Sequence, residues 1–360
     1  SSCKHESLTS IGASYIVQVR EKKIDQVQKL SQLIDSVVYI PLETSENCLI
    51  GRISKIVYSE RCFYILDDTA NCLFKFDESG RFLSKYDHVG KGPFEYIKLC
   101  DFNLDRTGAC YVLDYYKIIK LDKDLKALAT INLPMATERF CVKEDGFAIQ
   151  TYSTEDELLV LSSSGAKEYS LFVDNGSPRY IPLKPFETTP QRVLFNPCNS
   201  NVMYDVTQRK AVAYLVVDFE YPVPDDYFKA EKGKVVDTMI PDTYMSGIGC
   251  YSESNDDVFF KFSYNHKGYD GPFYVKFSKR NNETLIFTNR IENDCYQSMY
   301  PPNIIAATDA GWFIAIIQSS QFNESFNCGV KNFSFGVNTH QVSDLDNPII
   351  ALVRFREGGE

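Results

Sequence analysis

The chain has 360 residues, of which 44% are hydrophobic and 24% charged, a balance that excludes disordered and collagenous classes. Its formal net charge of -10 excludes a nucleic-acid partner, because phosphate binding needs a concentrated basic face to displace counterions. No run of about 18 apolar residues occurs, so no transmembrane helix is expected. The 25 Phe and 23 Tyr against a single Trp favour strands, since aromatic rings suit a pleated, half-buried surface.

The first residues, Ser1-Ser2-Cys3, resemble the end of a bacterial lipoprotein signal, in which small residues precede an acylated cysteine. Cys3 is therefore the expected lipidation site and the polar residues 4–10 the tether. The expected membrane contact is through this lipid alone. Residues 1–23 are assigned as tether and lead-in, and 24–360 as one domain. Residues 24–36 are either a short helix or an extended lead-in.

From there the chain repeats itself. Val37-Val38-Tyr39-Ile40-Pro41-Leu42 is an isolated strand, and Pro41 suits its end because proline is confined to sheet edges and strand ends. The first complete unit then runs through Ile53–Tyr58, Phe63–Asp67, Leu73–Asp77 and Phe82–Tyr86. Its third strand leads into Asp77-Glu78-Ser79-Gly80, a polar turn with glycine where a positive φ is easy. Further copies of the third strand stand at Ile118–Asp122, Leu158–Ser162, Tyr274–Ser278 and Leu352–Arg356, with a looser one at Tyr214–Phe219. Most are preceded by an apolar second strand, and first strands stand further upstream at Leu99–Leu104, Arg139–Val142, Val193–Phe195, Gly247–Tyr251 and Asn303–Thr308. Four strands per unit, repeated at roughly 40 residues, are the signature of a propeller blade. The fold class is all-β, a six-bladed β-propeller of four-stranded antiparallel blades. The last unit has three strands and a turn before Glu360, so the spare strand at 37–42 is expected to close it, removing an open edge.

Copy-to-copy spacing, measured at Phe76, Leu121, Leu161, Phe219, Phe277 and Phe355, grows from 45 and 40 to 58, 58 and 78 residues. Insertions at 220–245 and 318–347 account for the growth, and long loops in compact domains are commonly binding elements or disordered spans.

Ile40-Pro41-Leu42-Glu43, Leu49-Ile50-Gly51, the Asp-x-x-Gly turn at 77–80 and Gly90-Lys91-Gly92-Pro93-Phe94-Glu95-Tyr96 together resemble the six-bladed β-propeller lipoproteins abundant in Bacteroidetes, similar in shape to NHL-repeat propellers. The resemblance is densest over 37–135. It implies a six-bladed fold, export to the cell envelope, lipid anchoring to the outer membrane and a ligand-binding role, and it carries over no catalytic residue. Gly90–Tyr96 lacks the Gly-Lys-Ser/Thr ending of a phosphate loop. It is expected to be a structural connection pinned by Glu95 or Tyr96.

Candidate chemistry is sparse. His5, His88, His266 and His340 show no metal-ligand spacing, so no metal is expected. Eleven cysteines without Cys-x-x-Cys spacing indicate neither zinc nor a small disulfide framework; they are expected to be buried, free hydrophobes. The acidic pairs Asp67-Asp68, Asp225-Asp226 and Asp256-Asp257 fit calcium or a glycosidase pair less well than solvated turns, so no cofactor is assigned and calcium has no specific support.

In a propeller, the connections entering the first strands and the turns between second and third strands share one face. That argument gathers Arg52, Tyr96, Arg139, Arg192 and Tyr300 from entries with Tyr116 from a turn, a set suited to a carboxylate-bearing or polyhydroxylated ligand. Asp68, Asp114, Tyr115, Tyr152, Asn303 and His266 fall on the same face. The expected function is a monomeric, non-enzymatic binding module of the cell envelope for a glycan or a partner protein. The alternatives are a propeller-type lyase or hydrolase using funnel carboxylates, or a pure interaction scaffold.

Overall fold

The computed structural model describes residues 12–24, 26–151, 156–173, 182–224, 227, 240–269, 271–298, 300–322 and 342–357. Cys3, Tyr152, Asp225, Asp226 and most of both insertions lie outside the described residues. Six antiparallel sheets form a six-bladed propeller, as the repeat implies. Blade one runs Ile53–Ser59, Cys62–Asp67, Cys72–Asp77, Phe82–Tyr86 from the inside outwards, and blade two Asp101–Leu104, Cys110–Asp114, Lys117–Leu121, Ala127–Asn132. Blade three is Phe140–Lys143, Gly146–Gln150, Asp156–Ser162, Lys167–Val173, and blade five Ser246–Glu253, Asp257–Ser263, Pro272–Ser278, Glu283–Thr288.

Blade six closes the ring as expected. Its inner three strands are Ile304–Ala307, Phe313–Ile317 and Ile349–Phe355, and its outer strand is Ile34–Pro41, paired from Ile34↔Phe355 to Pro41↔Ile349. Pro41 ends that strand, where its missing N–H costs no ladder bond. Between Val19 and Ile34 the described residues form two short 3-10 turns, Glu21–Lys23 and Leu30–Gln32, and no α-helix.

Both faces of most blades are buried, and period-two alternation divides each strand between two neighbours. In Cys62–Asp67, Phe63 and Ile65 pack with Ile314 and Ile350 of blade six, while Tyr64 and Leu66 pack with Phe102 and Val112 of blade two. One apolar cluster fills each of the six interfaces. This explains why the strands are apolar throughout instead of alternating with polar residues.

The recurrent turn glycine has a related cause. Gly80 has φ +85, and a Cβ there would lie 2.2 Å from the carbonyl oxygen of Pro41. Gly165, with φ +86, would meet the carbonyl of Asn132 at the same distance. In each case the outer strand of the preceding blade ends against the third-to-fourth turn of the next, and only glycine leaves room. The Glu43 amide then donates to the Gly80 carbonyl at 2.8 Å, which ties the closing strand to blade one.

Blade four departs from the sequence assignment. Its inner strand is Phe186–Thr188, followed by Val193–Phe195, Val202–Asp205 and Val212–Phe219. Val193–Phe195, expected innermost, is second, and Tyr214–Phe219, expected third, belongs to the fourth. The true inner strand has three residues of which only Phe186 is buried, too short a signal to detect. A fifth strand, Tyr15–Val19, adds in parallel to Val212–Phe219; it lies within the stretch assigned as lead-in.

Deleting residues 37–42 is expected to expose the third strand of blade six and lower stability by several kcal/mol through lost apolar burial and pairing. Urea denaturation followed by far-UV circular dichroism measures it. An unchanged midpoint would show that the ring does not depend on this strand.

Candidate functional site

The face that carries the entries to inner strands is organised by aspartates at the ends of second strands. Asp67 is fully buried and accepts the amides of Gly51 at 2.5 Å and Arg52 at 3.2 Å. Asp114 repeats the device one blade later, accepting from Ile97 at 3.1 Å and Lys98 at 3.2 Å. These carboxylates hold backbone.

The same face holds a cleft of about 400 Å³ between blades five, six and one, lined by Arg52 and Ile53 at the blade-one entry and Tyr296, Ser298, Tyr300 and Asn303 on the way into blade six. Tyr274, Asn289, Gln318 and Gln321 complete its polar wall. Among the described residues no carboxylate, histidine or cysteine lines it. Tyr296 is 1% exposed, and its hydroxyl has no hydrogen-bond partner among the described residues. Burial holds that phenol well above its usual pKa, so it stays a neutral donor. Among the described residues no group of His, Cys, Asp or Glu is arranged to hold a metal ion.

The cleft brings together Arg52 and Tyr300, with Asn303 beside them. It does not gather the three arginines. Arg52 forks onto Asp68 within its own blade, Nε to Oδ1 at 2.7 Å and the second bond at 2.6 Å. That contact holds the Asp68 carboxyl below its usual value. Arg139 donates to the carbonyls of Leu183, Cys100 and Glu138 at 2.9, 3.2 and 2.8 Å.

Arg192 sits in the turn between the first and second strands of blade four, which belongs to the opposite face. There it pairs with Asp205 at 3.2 Å and lies 5.0 Å from the Tyr214 ring centroid. The misplacement follows directly from the misassigned inner strand. Tyr96 is buried, and its hydroxyl donates to the Asn71 carbonyl at 2.7 Å, so it pins the 88–97 connection. Tyr116 is 64% exposed on blade two and does not line the cleft. The amides of Asn289, Gln318 and Gln321 were missed. Each follows directly on a strand or belongs to a second-to-third connection, so the face rule contained them; the insertion after Gln318 hid where that connection lay.

A family model for a domain of unknown function, DUF4934, matches residues 14–354. The chain belongs to the DUF4934 family. The chain is similar over 95% of its length, and over the whole of the other, to a crystal structure of a "putative exported protein" from Bacteroides fragilis, with 20% identity and a TM-score of 0.78. A DUF4221-family structure from Bacteroides vulgatus matches 90% of this chain and 97% of its own at 9% identity and a TM-score of 0.52. Both likenesses concern the fold. No curated protein matches the chain.

Inside the DUF4934 ring, Lys184 reaches from the connection between blades three and four across to the inner strands of blades five and six. Its ammonium meets Glu187 at 2.7 Å, the Tyr251 carbonyl at 2.5 Å and the Ile305 carbonyl at 3.4 Å. Nearby, Glu253 accepts from the Tyr251 hydroxyl at 2.6 Å and Lys279 at 2.8 Å, and from the Tyr214 hydroxyl. Burial raises the Glu187 carboxyl, and Lys184 opposes that rise.

Lys184→Met should therefore cost about 3 kcal/mol at pH 7, the lower end of the range for a broken buried pair. A carboxyl raised in the folded state binds its proton more tightly folded than unfolded, so stability rises as pH falls toward the ordinary carboxylate range. The variant should recover part of its loss between pH 7 and 5, measured by urea midpoints across that interval. A pH-independent loss would show that Glu187 does not carry the effect.

Proposed function

We propose that this DUF4934 propeller is an exported, non-enzymatic binding protein whose cleft between blades five, six and one takes a polyhydroxylated ligand, a glycan. The observation that carries the reading is the wall of four primary amides, Asn289, Asn303, Gln318 and Gln321, with Tyr274, Tyr296 and Tyr300. Amides offer donors and acceptors together, which matches hydroxyl groups, and tyrosine faces accept the apolar side of a sugar ring. Glycoside hydrolysis needs two carboxylates about 5 to 9.5 Å apart, and the described lining residues supply neither. Arg52 spends its planar fork on Asp68, so the ligand is a neutral sugar and not one gripped by its carboxylate.

Export and a lipid anchor at Cys3 belong to the same proposal, supported by the Ser1-Ser2-Cys3 sequence and by a similar structure described as exported. In cells producing the full precursor, Cys3→Ala should abolish palmitate labelling and release the protein from membranes. Membrane association without labelled lipid would remove the anchor from the proposal.

Calorimetry against neutral oligosaccharides and matched uronate-bearing ones tests the cleft. Neutral ligands should bind at least as well as uronates, and Tyr300→Ala or Asn303→Ala should each weaken them about tenfold, the equivalent of ~1.4 kcal/mol. Asp68→Ala, which frees Arg52, should improve uronate binding selectively. Absence of binding across the panel, or affinities indifferent to Tyr300 and Asn303, would overturn the glycan reading.

A further inference from the structure

One strand takes no part in closing the ring. Closure is complete once Ile34–Pro41 has paired in blade six, yet Tyr15–Val19 adds a fifth strand to blade four, in register from Tyr15↔Leu215 to Val19↔Phe219. Val17 and Val19 are fully buried in the cluster between blades four and five. Polar contacts lock the residues that follow. Arg20 donates to the Asp218 carbonyl at 2.5 Å and pairs with the carboxylate of the same residue. The Glu21 amide donates to the Glu220 carboxylate at 2.7 Å, while the Glu21 carboxylate accepts from the Tyr264 hydroxyl at 3.0 Å and meets His266 Nδ1 at 3.0 Å. The chain then crosses blade five as a strap. There the Leu30 amide donates to the Glu292 carbonyl at 2.9 Å and the Ser31 hydroxyl to Asp294 at 2.6 Å, before Ile34 begins the closing strand.

The strap changes both the length and the direction of the chain that precedes the ring. If Ile34–Pro41 were the first fixed strand, residues 4–33 would separate it from Cys3, with an extended reach of about 100 Å. With Tyr15–Val19 in place only residues 4–14 intervene, a stretch that reaches at most about 40 Å. An unstructured peptide of that length spans about 18 Å on average.

Direction follows from the pairing. The outer strand Val212–Phe219 runs toward the face of the inner-strand entries, because the connection after it leads to the inner strand of blade five. Tyr15–Val19 is parallel to it, so Val19 is the end at the entry face and Tyr15 the end directed to the opposite face. The neighbours of Tyr15 agree. Its ring lies 5.5 Å from that of Tyr214, the same ring over which Arg192 of the opposite face is placed at 5.0 Å.

We propose that this strap turns the face of first-to-second and third-to-fourth turns toward the bilayer and the cleft face away from it. The cleft then meets ligands arriving from the side remote from the membrane. This orientation rests on the acylation of Cys3 proposed above. To present the entry face to the bilayer instead, the tether would have to reverse at Tyr15 and climb the height from Leu215 to Phe219, about 13 Å. That climb uses most of the average span before the connections projecting beyond the strands are cleared. Lean toward the anchored rim does not bring the cleft down either. Blade one stands directly across the ring from blade four and blade six two places from it, so lean raises both of those cleft walls.

The chain contains its own reporter. Trp312 is the single tryptophan and ends the first-to-second turn of blade six, on the face assigned to the bilayer. Tyr116, 64% exposed, stands in the second-to-third turn of blade two, on the entry face. Both blades are two places from blade four, so lean toward that rim moves the two positions alike. The acylated protein, purified from cells producing the full precursor, is reconstituted in vesicles with dansyl-labelled headgroups, and energy transfer from Trp312 is measured. In the double variant Trp312→Phe, Tyr116→Trp, transfer should fall at least about twofold, because a blade height of ~20 Å separates the two faces. A linker of about 20 Gly and Ser residues inserted after Ser14 should bring the two values together, since the reach then exceeds the height of the ring. Equal transfer from the two positions, or stronger transfer from position 116, in acylated protein would overturn the orientation and leave the anchor standing. A difference that persists with the linker would show a face held by surface contact and not by the strap, and would overturn it too. Protein without lipid on Cys3 would remove the anchor and the orientation together. Glycan binding at the cleft, measured in solution, is independent of every one of these outcomes.

Discussion

The fold rests on one constraint: no blade can bury both of its faces alone. Tyr64 and Leu66 need blade two, while Phe63 and Ile65 need blade six, so every sheet has two obligatory neighbours and the ring must close. Closure is assigned to Ile34–Pro41, a strand distant in sequence from the rest of its blade. Once six interfaces carry the stability, the turns on the entry face are released from packing duty and free to differ. The cleft forms where they differ most, at the seam between last and first blades, from the Arg52 entry and the approach to blade six.

Charge in this molecule is largely spent on backbone. Asp67 and Asp114 accept amides at the entries to inner strands, while Lys75, Lys98 and Lys143 donate to the carbonyls of Lys123, Asp68 and Val206. These side chains satisfy groups that irregular connections would otherwise leave unpaired. A charged residue on the entry face is therefore a weak pointer to a ligand. The arginines demonstrate it, because Arg52 and Arg192 are held by carboxylates of their own blades and Arg139 by the carbonyls of three connections. Residues left with spare hydrogen-bonding capacity, the amides and tyrosines, are what the face offers to another molecule.

The architecture was legible because the blade is a local pattern: an apolar strand, a turn with glycine, and another strand, repeated. Asp77-x-x-Gly80 was visible as a turn, and the structure supplies the reason for its glycine in the Pro41 carbonyl packed against it. Blade four was misread for the same local reason, since Phe186–Thr188 buries a single side chain and Val193–Phe195 buries three. The site was legible only as a face. Which turns meet across the closure seam depends on ring geometry and on the insertions of blades five and six, and neither leaves a periodic trace. Charge attracted attention in the sequence, and apart from Arg52 the described residues that wall the cleft are neutral.

The cysteines belong to the packing between blades. Among the described residues Cys48, Cys62, Cys72, Cys100, Cys110, Cys141 and Cys250 are free. Desolvation sets their chemistry. It pushes the thiols of Cys72 and Cys141 up to about 12 and that of Cys100 to about 11. The thiolate is the species that attacks disulfides and oxidants, so these side chains are nearly inert at neutral pH. Cys72 and Cys141 lie in the inter-blade clusters on either side of the ring, where a small apolar group is what the packing requires. The contacts that force the ring to close therefore also keep Cys72 and Cys141 out of thiolate chemistry.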